Sequence, residues 1–422
     1  LNVPGFPKSN PTVHTFFQSC LSDLKPYLVT HRIDIHEKDA IEICDAAGDF
    51  YLVPFSPNHL SLIEIKQICE AFEENHPLGR FVDVDLNEQQ GNTVSSGKSK
   101  ICYFCREKPA IECRREKAHE FEELRAFMFS EMKEYGRKQR EEKIAKKIST
   151  FAKQAILAEI SLTPKPGLVD QFSSGSHTDM NYQTFVDSTA AISSWFDYLV
   201  SEGFAFQNDD LTQALPRLRE IGLKMEADMF EATGNVNTQK GVIFLMGLSL
   251  FACGKLFSKK DHFQVEEFQS IIKEICKDLV KNEMDNSTSS GKSHGEKIFL
   301  KYGFSGARGE AESGLATVLD FGLPQLLQLE KLDDEALTKC FLSIAANNND
   351  TNILFRSNPE VLSKFKNLCH IALVDFSTEN YTAVIDFCKH QNISPGGSAD
   401  LLAVTIFVWS VIQAGEQKHF TF

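Results

Sequence analysis

Lys165 stands between two prolines in Thr163-Pro164-Lys165-Pro166-Gly167-Leu168-Val169-Asp170. Proline fixes φ, restrains the residue before it and stops a helix, so this cation is carried on a stiff loop. Ser173-Ser174-Gly175-Ser176-His177-Thr178-Asp179 follows, where small residues let backbone amides approach a ligand beside His177 and Asp179. A rigid connector with Thr178 or Asp179 as a helix cap is the plainer alternative. A second loop runs from Glu226 to Thr233-Gly234-Asn235-Val236-Asn237-Thr238-Gln239-Lys240-Gly241 and opens an apolar helix. Amides at a helix start favour an anion, and Lys240 adds a charge there. The spacing is not that of a P-loop.

Three further loops have the same character. Ser293-His294-Gly295-Glu296 and then Gly303-Phe304-Ser305-Gly306-Ala307-Arg308-Gly309-Glu310-Ala311-Glu312 gather imidazole, guanidinium and carboxylates. Such a set can bind phosphate, hold Mg²⁺ and position a base. On a helix, Glu310 and Glu312 point to different faces, and Arg308 with Glu312 makes an ordinary i,i+4 pair. Asn347-Asn348-Asn349-Asp350-Thr351-Asn352 is oxygen-rich, which suits Mg²⁺. Ser394-Pro395-Gly396-Gly397-Ser398-Ala399-Asp400 delivers the chain to another apolar stretch. Capping and turn formation explain each loop alone. Helix ends facing one cleft would explain all five.

The elements that must position these loops are helices. After Ile148 the long segments have helical periodicity, and no pair of alternating strands is convincing. Before residue 120, Phe50-Tyr51-Leu52-Val53 and the alternating 79–85 segment read as strands, and 60–74 as a helix. The expected architecture is an α+β N-terminal domain over 1–125, a charged helical linker over 126–147, and a larger all-α domain over 148–422. The charges of the linker mark a solvated face.

With 422 residues, 42% of them hydrophobic, the chain can build two cores. A formal net charge of −14 argues against general binding to nucleic acid or an anionic membrane. The apolar runs 241–257 and 401–412 fall short of the roughly 20 residues a bilayer asks for, and read as buried core helices. Leu1 in place of Met, with no basic start or apolar stretch, leads to the expectation that something is missing upstream and that no signal peptide is present. Eleven scattered cysteines fit reduced thiols in the cytoplasm. Cys102, Cys105 and Cys113 cluster, and with His119 they offer three thiolates and an imidazole, enough for a tetrahedral zinc site. Packed, reduced thiols are the alternative.

As an ordered set the five loops resemble the triphosphoribosyl-dephospho-CoA synthase family over about residues 150–415. The resemblance rests on Pro164 to Asp170, the His177/Asp179 stretch, Asn237-Thr238, Lys240-Gly241, His294-Gly295-Glu296, Arg308 to Glu312, Asp350-Thr351-Asn352 and Ser394 to Asp400. That family usually has His where Gln239 stands, and His-Arg-Gly where Phe355-Arg356-Ser357 stands. The front domain is similar to apo-citrate lyase phosphoribosyl-dephospho-CoA transferases, which normally carry a further N-terminal stretch. It matches them at Asn2-Val3-Pro4-Gly5, Lys8, His76 to Arg80, Asp83-Val84-Asp85, Cys102, Cys105, Cys113, Arg114 and His119.

The first resemblance implies that ATP and 3′-dephospho-CoA are joined and adenine released, with Mg²⁺ accompanying ATP. A ribose hydroxyl would attack the anomeric carbon of ATP through an oxocarbenium-like state, leaving the triphosphate whole. Lys165, Lys240 and Arg308 are then expected at phosphates, Asp350 with Glu310 at Mg²⁺, and Asp170 or Glu296 as base. His177 and His294 would donate protons, with Asp179, Glu226, Asn237, Glu312, Thr351, Asn352, Ser398 and Asp400 around them. The second resemblance implies transfer of the product to a serine of the citrate lyase acyl carrier protein with release of pyrophosphate. Arg80, Asp83 and Asp85 would serve phosphate and metal there, or simply end a strand. A helical hydrolase of ADP-ribose-like bonds and a non-catalytic carrier-binding fusion are the competing readings.

Overall fold

The computed structural model describes residues 1–3, 10–285 and 294–416, the side chains of residues 284, 285, 294 and 416 aside. The chain divides into two compact units, Leu1–Arg140 and Glu141–Phe422. The boundary falls inside the long Phe121–Ser161 helix, within the charged stretch expected to be a linker.

The smaller unit is α+β. Asn10 caps the Pro11–Thr30 helix by accepting from the Val13 amide at 2.9 Å, and Pro11 occupies the first turn, where no amide partner is lost. Ile41–Asp45 and Gly48–Leu52 form an antiparallel hairpin, with Cys44 opposite Asp49. Asp34–Ile35 and Phe55–Ser56 form a second short pair. Leu62–Asn75 is helical and opens with a reciprocal Ser61/Glu64 capping box. The expected strand at 79–85 is a correction: Gly79–Phe81 is a 3₁₀ turn, and the residues after it are extended without a strand partner beyond a bridge to Asn2. Val82, Val84 and Leu86 are buried as the alternation predicts. Yet the Val84 amide is taken by the Glu73 carboxylate at 2.7 Å and its carbonyl by Lys66 at 3.0 Å. Side chains replace the neighbouring strand.

In the larger unit the described residues form helices and turns with no strand. The two long apolar segments are the Lys240–Phe257 and Gly396–Glu416 helices, which have the length and composition of membrane spans but lie mostly buried in this unit's core and pack on each other. Phe196–Ala205 lies against Lys240–Phe257 so closely that a side chain on Gly254 would place its Cβ 2.0 Å from the Val200 carbonyl oxygen. Glycine lets the helix backbones meet there, and Gly254→Leu would force them apart. That close core fixes the helix ends from which the motif loops depart.

Candidate functional site

The larger unit contains a cleft of about 840 Å³. Segments from all five loops line it, including Lys165, His177, Asn237, Lys240, Arg308, Glu310, Thr351, Asn352, Ser394 and Asp400. Glu226 is on the same wall. Convergence of the loops is therefore borne out, while individual roles divide.

Asp170 is not on the wall. Its Oδ2 accepts from the Lys165 amide at 3.1 Å, and its Oδ1 from the amides of Phe172 and Ser173, each at 2.9 Å. Buried and engaged by three backbone donors, it folds the loop. Lys165 is buried as well, and its ammonium meets Glu159 Oε1 at 2.6 Å.

His177 ties the first loop to the fifth. Arg356 donates to its Nδ1 at 3.2 Å, so the proton sits on Nε2 and is directed to Ser394 Oγ at 2.9 Å. Burial, with Arg356 beside it, holds the imidazole below its ordinary pKa and keeps it neutral. Asp179 is largely exposed, 3.8 Å from Nδ1. Arg356 also donates to the Ser176 carbonyl at 2.8 Å, bringing the short Thr351–Arg356 helix to the same place.

At the opposite helix start, Lys240 pairs with Glu226 at 2.7 Å and lies over the Phe230 ring. Asn237 Oδ1 faces the Lys240 amide at 3.4 Å. Gln239, where the resemblance expects histidine, is buried against Ser188 and Thr189, hydrogen-bonded at 2.5 and 3.2 Å. Arg308 Nε donates to Glu283 at 2.5 Å and its Nη2 lies 3.6 Å from Glu296; Arg219 shares Glu283. Two guanidiniums thus converge on one carboxylate in the π turn Lys281–Asp285, a charge arrangement that an anionic ligand would relieve.

Glu310 lines the cleft and Glu312 does not, as the helical spacing predicts. Glu310 Oε1 accepts from the Thr317 and Val318 amides at 2.8 and 3.3 Å. Burial raises its pKa. Asp350, expected beside it at Mg²⁺, is fully engaged elsewhere. Its Oδ1 caps the Thr351–Arg356 helix through the Asn352 amide at 2.9 Å, and its Oδ2 receives the Ser398 amide and hydroxyl at 2.8 and 2.9 Å. It joins the fourth loop to the fifth, and burial raises its pKa against those donors. Asp350 thus builds the fourth and fifth loops, while Glu310 is on the cleft wall.

Asp400 is the unusual group. Its carboxyl lies under Gly241, where any Cβ would come 1.9 Å from Oδ2, and among the described residues nothing donates a hydrogen bond to it. Burial first, then the neighbouring Glu159 and Asp350 carboxylates, pushes its pKa well above the usual range. The group that fills the space left by Gly241 is the Asp400 carboxyl, which faces the cleft.

The side chain of His294 lies outside the described residues. Glu159, Arg219, Glu283, Lys297 and Arg356 line the cleft without having been singled out as site residues from the sequence. Glu159 sits two residues before a helix end and Arg219 sits mid-helix, where their spacing looks like that of any solvated face.

The smaller unit holds its charges differently. Arg80 donates to the Ile101 carbonyl, Lys100 bridges Asp83 at 2.5 Å and Glu73 at 2.7 Å, and Asp85 lies 3.9 Å from Lys66. Cys102, Cys105, Cys113 and His119 come together, with one potential ligand atom from each within 4.8 Å of the others. The Glu107 amide, then His119, the Lys108 amide and Cys113, hold the Cys105 thiol down to about 6.

Residues 145–419 match the model of the family described as ATP:dephospho-CoA triphosphoribosyl transferase, and residues 1–135 that of apo-citrate lyase phosphoribosyl-dephospho-CoA transferase. The chain is similar to Protein CitXG of Leuconostoc mesenteroides subsp. cremoris, 31% identical across 97% of this chain and 90% of that one. It is similar also to the 2-(5''-triphosphoribosyl)-3'-dephosphocoenzyme-A synthases of Escherichia fergusonii and Klebsiella pneumoniae. Each is 37% identical; the first match covers 63% of this chain and 90% of the relative, the second 64% and 92%. No solved structure matches the chain.

Proposed function

The chain belongs to the ATP:dephospho-CoA triphosphoribosyl transferase family, fused to an apo-citrate lyase phosphoribosyl-dephospho-CoA transferase domain, and from that premise we propose that its larger unit joins ATP to 3′-dephospho-CoA and releases adenine. The observation that carries this reading is the cleft in which Lys240, Arg219, Arg308, Lys297 and Arg356 share a wall with Asp400, whose carboxyl meets no hydrogen-bond donor among the described residues.

A polyphosphate that stays intact needs cations and no nucleophile directed at phosphorus. Arg308 and Arg219 now share Glu283, and Lys240 holds Glu226. Phosphate oxygens would exchange for these carboxylates, giving charge-assisted hydrogen bonds in a partly enclosed site. Glu310 would help to hold Mg²⁺, and the ion would supply charge neutralisation. Adenine leaves as a poor anion unless it is protonated. Asp400, kept as an acid by burial, donates that proton as the N-glycosidic bond breaks. The ribose hydroxyl of dephospho-CoA attacks the anomeric carbon and gives up its proton to a carboxylate. With Asp170 committed to its loop, Glu296 is the assigned base; its neighbours Gly295 and Lys297 line the cleft.

The smaller unit, on this reading, passes the product to the citrate lyase acyl carrier protein. Eleven free cysteines suit the reducing cytoplasm, where we place the protein. The test is to incubate the full chain with ATP, Mg²⁺ and 3′-dephospho-CoA and follow adenine and the joined product by mass. Adenine release that depends on dephospho-CoA is expected. Release into ribose triphosphate with water as acceptor would instead make the cleft a hydrolase, and binding of both substrates without turnover would make it a non-catalytic module.

A further inference from the structure

The cleft accounts for the carboxylates and cations of the larger unit, but nothing in that chemistry uses the cysteine cluster of the smaller one. Cys102 and Cys105 flank a turn in which the Arg106 amide bonds back to the Cys102 carbonyl at 3.0 Å, with Arg106 at φ 59°. The Cys102 amide bonds to the Lys108 carbonyl at 2.9 Å and the Ala110 amide to the Lys100 carbonyl at 2.8 Å, so residues 100–110 form a narrow hairpin. The Ala110–Glu116 helix follows directly and carries Cys113, and Lys117, at φ 49°, turns the chain to bring His119 back. The four donors thus come from three separate local geometries, and each has been turned inward.

We propose that Cys102, Cys105, Cys113 and His119 bind one Zn²⁺ as a closed tetrahedral site that holds this hairpin in place. The Cys105 and Cys113 sulfurs are 3.6 Å apart, near the roughly 3.8 Å edge of a tetrahedron with Zn–S of about 2.3 Å. All four potential ligand atoms lie within 4.8 Å of one another, and Cys102 and Cys113 are buried. The His119 Nε2 atom is shielded from solvent and has no hydrogen-bond partner among the described residues, an unfavourable arrangement unless something binds it. Thiols and imidazole together select zinc over Mg²⁺ or Ca²⁺. Four protein donors leave no open position for water, so the ion is structural. Binding replaces the thiol protons, which pass to the buffer. No oxidant takes part.

The hairpin has a purpose within its own unit. Its Lys100 bridges Glu73 and Asp83, and its Ile101 carbonyl receives Arg80. Arg80 and Asp83 are among the residues expected to meet phosphate or metal in the carrier-transfer step, so the ion would fix their geometry from outside the reaction. A second group, His14, Cys44 and Asp49, has only three donors and is open to solvent at Cys44; it is the natural comparison.

The experiment uses the full chain, purified with its thiols reduced, and reads metal content by mass spectrometry. About one zinc per chain is expected, lost in Cys105→Ser and retained in Cys44→Ser. Replacing zinc by Co²⁺ in the unmutated chain should give thiolate charge-transfer and tetrahedral d–d absorption, a readout that does not depend on a variant folding. Chelation should lower the thermal transition of the smaller unit. Full zinc in Cys105→Ser, loss in Cys44→Ser instead, or reduced protein with neither zinc nor a Co²⁺ spectrum would overturn the proposal. So would a mass deficit of two hydrogens from a Cys105–Cys113 disulfide in protein purified without reductant. Metal content is independent of whether adenine is released, so this inference and the transferase reading fail separately.

Discussion

In the larger unit Lys240, Arg308 and Asp400 reach a shared cleft from loops far apart in sequence, whereas in the smaller unit Arg80 and Lys66 are taken by backbone carbonyls and Asp83 by Lys100. Both units bury charge, and the difference lies in what satisfies it. Lys66 and Glu73 stand in for a missing strand beside Val84, work that ends with the fold. Arg308 and Arg219 crowd one carboxylate, and Asp400 has no donor among the described residues, so their satisfaction waits for something else. A site for a polyanion is distinguished from a structural ion network by that incompleteness.

The sharpest way to break the contrast is Asp400→Asn. If its acid proton reaches adenine, turnover should fall by about 10²–10⁴-fold. Stability should move the other way. A carboxyl whose pKa is raised by folding contributes nothing below its unfolded value of about 4 and destabilises increasingly as pH rises toward its folded value. The amide therefore gains on the wild type from acid to neutral pH. Thermal melts across that range, beside adenine release, check both signs. A variant that retains turnover within about tenfold would remove Asp400 from the chemistry.

Arg308→Ala tests the crowded cations. Losing charge-assisted hydrogen bonds to phosphate, about 1.5–3 kcal/mol, should weaken ATP binding by roughly 10- to 150-fold. Titration of ATP at two ionic strengths measures it, and the salt dependence should shrink with the lost charge. Unchanged affinity would mean that the guanidinium serves Glu283 and Glu296 only.

Asp170→Asn separates loop building from chemistry. Asparagine can keep one oxygen toward Phe172 and Ser173 but presents an N–H to the Lys165 amide, so stability should drop by about 1–3 kcal/mol. Turnover per folded molecule should stay within about tenfold of wild type, well short of the loss of a base. Denaturant melts and active-fraction kinetics on one preparation distinguish the two.

Asp170 also marks how far the sequence could be read. Helical periodicity revealed the all-α class, and glycine- and proline-rich loops between helices marked the places where the chain meets the cleft. What one residue does inside such a loop was not legible, because a carboxylate that caps backbone amides and one that takes a proton sit in the same short motifs. Asp170 and Asp350 are of the first kind, whereas Asp400 has no donor among the described residues and lines the cleft. Arg219 and Glu283 escaped notice for another reason. Their positions on helices match a solvated face, and only the fold across 64 residues brings them together. The alternation expected over 79–85 matches the burial of Val82 and Val84 but not the backbone partner, since period two reports which side chains are inside and not what pairs with the backbone.

The smallest expected effect comes from Arg80→Ala, and it tests the other half of the contrast. Arg80 already donates to the Ile101 carbonyl within its own unit, so its removal should cost about 1 kcal/mol of that unit's stability. ATP affinity and adenine release belong to residues 145–419 and should not change. Transfer of the finished group to the carrier protein is the informative assay. If Arg80 only anchors the hairpin, Arg80→Lys, which keeps a donor within reach of the carbonyl, restores transfer together with stability. If the planar guanidinium grips phosphate in a bidentate way, lysine restores stability but leaves transfer impaired, because a single ammonium cannot reproduce that fork. The second outcome would show that the smaller unit, too, keeps charge in reserve for a ligand, and the distinction drawn between the units would then be one of degree.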